Sequence, residues 1–349
     1  MPIMDVEHSV ADTIVQIAER IAVALGGDGR LLVDGVGRGL ADAHHVVVEF
    51  MHPVTVGKRA LPAFHGLGGR RADDVTMTIE YGHDADIDVD IDADIVLTDR
   101  PGDQTDSQLV LALPSDVGDA KITAVLAYHV AWELVHVFLE STTISGDDAP
   151  AASALYPMLY AADDDPDAGG ALRAAARRSA EAKITESNEV RARALADNVE
   201  LIDRAVELID RAGNVFTLGN GGSSTDATDA AMALGPRARS LADDVATISA
   251  LANDVAFDVV FARQVVTVGR PDDCVVAFST SGNSNNVVEA AKAAKRIGMS
   301  TVGLAGYDGG AMATCDAFDV VLVVDSDSVH RIQEAHSAMI GAISTRLRT

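Results

Sequence analysis

Val215-Phe216-Thr217-Leu218-Gly219-Asn220-Gly221-Gly222-Ser223-Ser224 and Cys274-Val275-Val276-Ala277-Phe278-Ser279-Thr280-Ser281-Gly282-Asn283-Ser284 decide the fold. Each is a short apolar run entering a turn of Gly, Ser and Asn, with a helical pattern following at once, over 226–234 and 287–297. Apolar runs of this kind read as strands buried on both faces, and strands alternating with helices read as a parallel sheet covered on either side. Where such a strand ends and a helix begins, free backbone N–H groups and the positive end of the helix dipole face an anion. Ser279, Thr280, Ser281 and Ser284 add four hydroxyls there. Neither turn has the Gly-x-Gly-x-x-Gly spacing or the Gly-Lys-Ser ending of the nucleotide fingerprints, so no nucleotide cofactor is expected, and a kinase is disfavoured.

Around these turns the same plan extends to strands at 300–304 and 320–324, helices at 172–184 and 190–211, and a last helix from near Ser328. The first half repeats it. A helical pattern over 9–25 precedes Leu31-Leu32-Val33, which enters Gly35-Val36-Gly37-Arg38-Gly39. A helix over 40–51, strand-like runs at 75–81, 94–98 and 109–113, and a closing helix over 122–140 follow. Sliding the chain by 184 residues superposes Gly35 on Gly219, Gly37 on Gly221, Asp42 on Asp226 and Ala43 on Ala227. A tandem duplication with a diverged first copy is therefore expected. Its domains span 1–142 and 169–349, joined by a linker at 143–168 that includes Asp163-Asp164-Asp165-Pro166-Asp167.

Composition narrows the partners. The 349 residues are 48% hydrophobic and 23% charged, the balance of a soluble globular protein. Lys+Arg total 27 against 53 Asp+Glu, a net charge of -26, and such a surface repels phosphate backbones. Nucleic acid is not an expected partner. Forty of the acids are Asp, a skew that suits solubility at high salt and that codon bias would also produce. Cys274 and Cys315 make no disulfide framework. No secretory signal is visible, and His129, Glu133 and His136 interrupt the apolar stretch 122–138, so neither export nor a membrane span is expected. The cytoplasm is the expected compartment.

Several motifs occur together and in order in the second half: Gly219-Asn220-Gly221-Gly222-Ser223, Asn253-Asp254, Val260-Phe261-Ala262-Arg263-Gln264-Val265, Ser279–Ser284, Gly309-Gly310 and Arg331-Ile332-Gln333-Glu334. This set, across about 170–345, resembles the sedoheptulose 7-phosphate isomerase (phosphoheptose isomerase) branch of the sugar isomerase (SIS) domain superfamily. The resemblance implies a flavodoxin-like α/β sandwich. It implies phosphate binding by Ser279, Thr280, Ser281 and Ser284, with Asn220, Gly221, Gly222, Ser223, Asp254 and Gln333 around the sugar.

The departures from the family pattern carry equal weight. The family's His and catalytic Glu on the helix after the Gly-Asn-Gly-Gly-Ser loop are here Asp229 and Ala233, and its second catalytic His is Gly341. In the first half the aligned positions hold His45 and Glu49, one helical turn apart, and His129. Lys121 replaces the Gln of the final helix, and Thr98-Asp99-Arg100-Pro101-Gly102-Asp103 is expected where the phosphate loop would be. Each half then keeps what the other lacks. The expectation is a phosphosugar isomerase with a composite site: phosphate on the second domain, Glu49 as base and His129 as carrier of the hydroxyl proton. The resemblance also implies zinc, with His45, Glu49, His129 and Gln333 as its ligands, and a homodimer forming a pseudo-tetramer of SIS domains. The rival is a catalytically inactive sugar-phosphate sensor or protein-binding adaptor. A His and a Glu one turn apart are more often a solvated pair, and His129 on an apolar helix more often a core histidine. His336 is expected to be structural, and His44 and His52 are given no role.

Overall fold

All of Cys274–Ser279 is buried, as a strand flanked on both edges and both faces must be. In the computed structural model, which describes residues 3–53, 57–82, 93–101, 105, 107–143 and 168–349, this strand is the centre of one of two parallel five-stranded sheets. The chain divides into two units, Met1–Glu186 and Ser187–Thr349.

The first unit runs α1 (Ile3–Gly26), β1 (Leu31–Gly37), α2 (Gly39–Met51), β2 (Ala63–His65), β3 (Val75–Tyr81), β4 (Ile95–Thr98), β5 (Leu109–Ala112) and α3 (Val117–Thr143), followed by the start of α4 (Ala168–Asp197). The second continues with α5 (Val199–Asp210), β6 (Val215–Leu218), α6 (Gly222–Leu234), β7 (Ala238–Ser240) and α7 (Val245–Asp254). After a single 3-10 turn come α8 (Val260–Val268), β8 (Cys274–Ser279), α9 (Asn285–Arg296), β9 (Ser300–Gly306), α10 (Gly310–Thr314), β10 (Val320–Val324) and α11 (Val329–Arg348).

The strand orders are β2-β1-β3-β4-β5 and β7-β6-β8-β9-β10, the doubly wound flavodoxin-like order in both units. Their registers also coincide. Leu31 pairs with Ala63 and Val75 in the first sheet, and Val215 with Ala238 and Cys274 in the second. Ile95 pairs with Met77 and Leu109, and Val302 with Val276 and Val320. Because side chains alternate across a sheet, a slip of one residue would exchange its two faces. Five strands in the same order and register carry the correspondence past the four glycine-turn identities.

Alternation along β8 feeds two cores. Cys274, Val276 and Phe278 pack with α5, α6 and α11, whereas Val275 and Ala277 pack with α8 and α9. In β3 only Val75, Met77, Ile79 and Tyr81 are apolar, and they join the core built on α1, α2 and α3. Thr76, Thr78 and Glu80 of the same strand are buried too. Helix α3 contains a 24-residue window long and apolar enough to cross a membrane, but 89% of its most apolar stretch is buried, so it serves as the core helix of the first unit.

The helix bounds differ from their reading. The two helices read over 172–184 and 190–211 are instead α4, unbroken through 185–189, and α5; the interruption falls at Asn198. Weak helix formers such as Ser187 and Asn188 are overridden by packing, since Ser187 is buried and donates to Glu334 at 2.5 Å. The Asn198 amide donates to the Ala194 and Val323 carbonyls, holding the break. The boundary between units lies within α4, because Ala176, Ala180 and Ile184 join the first core. The linker read at 143–168 lies almost wholly outside the described residues. The edge strands β2 and β7, three residues each, carry too little pattern to be read.

Candidate functional site

In the second unit the first turn is built by backbone proximity. A Cβ on Gly219 would lie 2.3 Å from the Ser223 carbonyl oxygen, so only glycine lets β6 pass so close to α6. Gly35 meets Gly39 at the same 2.3 Å in the first unit, matching the register. Asn220 then faces Asn286, in the first turn of α9. The Asn220 amide donates to Asn286 Oδ1 at 2.8 Å, and the Asn286 amide donates back to Asn220 Oδ1 at 2.9 Å. This pair joins the two loops.

The second loop is a tight cup at the carboxyl end of β8. Ser279 and Ser284 hydroxyls lie 2.9 Å apart, and the Asn283 N–H donates to Ser281 Oγ at 3.2 Å. Gly282 has φ +64, and a Cβ there would meet the Gly309 oxygen at 2.1 Å, so the cup is pressed onto the Gly309–Gly310 turn. Asn283 clamps the two: its amide donates to the Ser281 carbonyl, and its Oδ1 accepts from the Ala311 N–H. Ser281 is exposed, Thr280 and Ser284 half-buried and Ser279 buried. Hydroxyls and the amino end of the twelve-residue α9 therefore converge at one opening, a setting for a phosphate dianion. Asp254, the last residue of α7, is exposed and accepts from the Asn253 amide at 2.8 Å, whereas Gln333 is buried on α11.

The first unit gathers the other expected group. His45 and Glu49 lie one turn apart on α2, with His45 Nε2 3.6 Å from Glu49 Oε1, and His129 Nε2 comes within 3.4 Å of His45 Nε2. The three residues are 0%, 2% and 0% exposed respectively. The Trp132 indole donates to the Glu49 carbonyl at 2.9 Å. Tyr128 packs against both imidazoles, with ring centroids 5.2 Å from His45 and 4.9 Å from His129. Three donors converge on Asp42: the Tyr81 hydroxyl, the Lys121 ammonium at 2.5 Å and the Tyr128 hydroxyl at 3.1 Å.

The phosphate-loop position in the first unit is not at Thr98. Thr98 ends β4 and corresponds to Ala305 of β9. Continued past Leu218 and Ala277, the β6–β8 register puts Glu80 on Ser279 and Tyr81 on Thr280. A buried carboxylate and a phenol tied to Asp42 thus stand where the second unit has hydroxyls. The displaced reading arose because residues 66–74 join β2 to β3, whereas 241–273, with α7 and α8, join β7 to β8.

Of the donors read for zinc, His45, Glu49 and His129 lie in the first unit. Gln333 belongs to the other unit, and among the described residues no group of three or more His, Cys, Asp or Glu is arranged to hold a metal ion. Sequence reasoning missed the Asn220–Asn286 pair. Both asparagines are legible as polar residues beside glycine turns, but their pairing depends on which strands are neighbours.

A parallel sheet of this order, with a hydroxyl-lined turn and a glycine turn on adjacent central strands, defines the α/β proteins that hold ligands at the carboxyl ends of their strands. The model of one such family, the SIS domain, matches residues 177–306. Phosphoheptose isomerase of Helicobacter pylori (strain P12) is 42% identical over 144 residues, 39% of this chain and 74% of that protein. Phosphoheptose isomerase of Solidesulfovibrio magneticus is 40% identical over 177 residues, 47% of this chain and 85% of that one. Among solved structures, phosphoheptose isomerase GmhA from Neisseria gonorrhoeae is 36% identical with a TM-score of 0.47, across 49% of this chain and 98% of its own. The C-terminal domain of glucosamine-fructose-6-phosphate aminotransferase from Francisella tularensis covers 98% of this chain and 92% of its own, at a TM-score of 0.59 and 11% identity, a likeness of fold alone. The chain belongs to the SIS-domain family, its second half within the phosphoheptose isomerase branch.

Proposed function

We propose that the chain is a phosphosugar isomerase acting on sedoheptulose 7-phosphate or a ketose phosphate of similar size. The phosphate sits on Ser279, Thr280, Ser281 and Ser284, with Asn220, Gly221, Gly222, Ser223, Asp254 and Gln333 toward the sugar. The observation that carries this reading is the complementary state of the two units. The second holds an open hydroxyl cup but has Asp229, Ala233 and Gly341 at the family's acid–base positions, while the first brings His45, Glu49 and His129 together. Aldose–ketose isomerisation moves one proton between neighbouring carbons and another between their oxygens. In this reading Glu49 takes the C1 proton of the ketose and returns it to C2 of the enediol. His129 carries the hydroxyl proton the same way, from O1 to O2, and His45 polarises the carbonyl. Assembly of two chains into a particle of four SIS units belongs to the same reading.

Glu49→Gln tests it. The amide accepts no proton, so turnover should fall by about a hundredfold or more while sugar-phosphate affinity holds. Unchanged turnover would remove Glu49 from the mechanism. The near-complete burial of the three residues favours a second reading, sugar-phosphate binding without catalysis in a sensor or adaptor. Tight binding with no turnover by the unaltered protein would establish that one instead.

A further inference from the structure

We infer that Asn286 is a positioning residue that couples the phosphate cup to the sugar-facing Asn220; the inference rests on the second unit binding a sugar phosphate. Asn286 is 3% exposed, lies in the first turn of α9 and makes two reciprocal amide hydrogen bonds to Asn220 on the neighbouring loop. A primary amide has two N–H donors and two acceptor lone pairs. The pair uses one of each on Asn220 and leaves one donor and one acceptor for a ligand hydroxyl, in an orientation set by Asn286. An asparagine beside a glycine turn would otherwise sample several rotamers, and fixing it in advance lowers the entropy cost of binding.

The location of Asn286 also determines what it transmits. Ser284, which contributes a hydroxyl to the cup, is the N-cap of α9, and Asn286 follows two residues later. A phosphate that draws in the Ser284 hydroxyl and the first N–H groups of α9 steadies the turn that carries Asn286. Through Asn286 it steadies the amide that meets the sugar. The anionic end of the ligand thereby prepares the site for its hydroxylated end. Inorganic phosphate engages the cup but has no sugar for Asn220 to meet.

The two probes therefore separate the role. Calorimetric titration of the full chain with sedoheptulose 7-phosphate and, separately, with inorganic phosphate would be carried out on wild type, Asn286→Ala, Asn220→Ala and the double variant. Asn286→Ala should weaken the sugar phosphate by about tenfold, and inorganic phosphate by less than about twofold. Because one residue acts through the other, the double variant should be no weaker than Asn220→Ala alone. Unchanged sugar-phosphate affinity in Asn286→Ala would overturn the inference. So would equal weakening of both probes, which assigns Asn286 to the stability of α9, or additive losses in the double variant. Asn286→Asp, isosteric and able only to accept, should reproduce the sugar-phosphate loss if the returned bond to Asn220 Oδ1 matters; wild-type sugar-phosphate affinity in it would count against the coupling. Failure of the unaltered protein to bind sedoheptulose 7-phosphate would instead strike the parent reading, and the coupling with it.

Discussion

Asp74 and Asp273 perform one task in two places. Asp74 accepts from the Arg30 and Arg71 backbone N–H groups at 2.9 and 2.8 Å, and Asp273 from those of Asn214 and Arg270 at 2.8 Å each. Each ties the start of a central strand to the loop before its neighbour. The Arg30 guanidinium bonded to Asp74 holds its carboxyl well below the usual carboxylate range. Buried histidines work in the opposite pH region. Burial pushes His336, beside Phe278, down to about 4, and it pushes His136 to about 4 as well, helped by the nearby Lys58 charge. Unfolded, each would bind a proton near 6.5, so between about 6.5 and 4 the unfolded chain holds more protons than the folded one. Their contribution is thus intact above about 6.5 and drains away as pH falls toward 4. The thermal midpoint should drop by several degrees across that window, and His336→Leu should flatten the drop; equal slopes in the two proteins would contradict the assignment. A structural His336 was the expectation, and the residue is buried beside Phe278. The Asp74–Asp273 match was not legible in the sequence, because insertions shift it off the single offset that aligns the glycine turns.

At the scale of elements, the glycine turns were legible because their requirement is local. A strand that doubles into a helix within four residues leaves no room for a side chain, and Gly219 and Gly35 satisfy that whatever surrounds them. Gly219→Ala should destabilise the second unit by roughly 1–3 kcal/mol or more, since the colliding atom is backbone and cannot rotate away. Gly282→Ala adds a strained positive φ to a similar collision and should lose phosphate affinity along with stability. Denaturant midpoints close to wild type would show that these backbones yield more readily than the geometry allows. Other elements were hidden for physical reasons. The break at Asn198 is made by a tertiary bond to Val323, on a strand far along the chain, and three-residue edge strands show no periodicity. His45, Glu49 and His129 were found by aligning α2 and α3 with the family pattern, but their burial, and the tie of Tyr81 to Asp42, depend on which residues stand on β3.

For the whole molecule, two sheets of the same order and register do not amount to two equivalent sites. Glu80 and Tyr81 stand where the second unit has Ser279 and Thr280, and Asp42 is bound by Tyr81, Tyr128 and Lys121. A carboxylate repels a phosphate dianion, and three donors already engage Asp42, the counterpart of Asp226. Isothermal titration should therefore give one sugar phosphate per chain, and Ser281→Ala with Ser284→Ala should weaken that single event sharply. Two events per chain would mean that the first unit still binds. Helix α4 has a consequence for separating the halves. Its early turns give Ala176, Ala180 and Ile184 to one core, while Val190 and Ala194 belong to the other. A gene fragment opening at residue 169 would express a bare greasy ridge in search of cover, whereas one opening at 187 would truncate the helix but keep its own packing. Anyone dividing this polypeptide at the apparent seam would inherit a sticky protein whose insolubility says nothing about whether the severed part can fold.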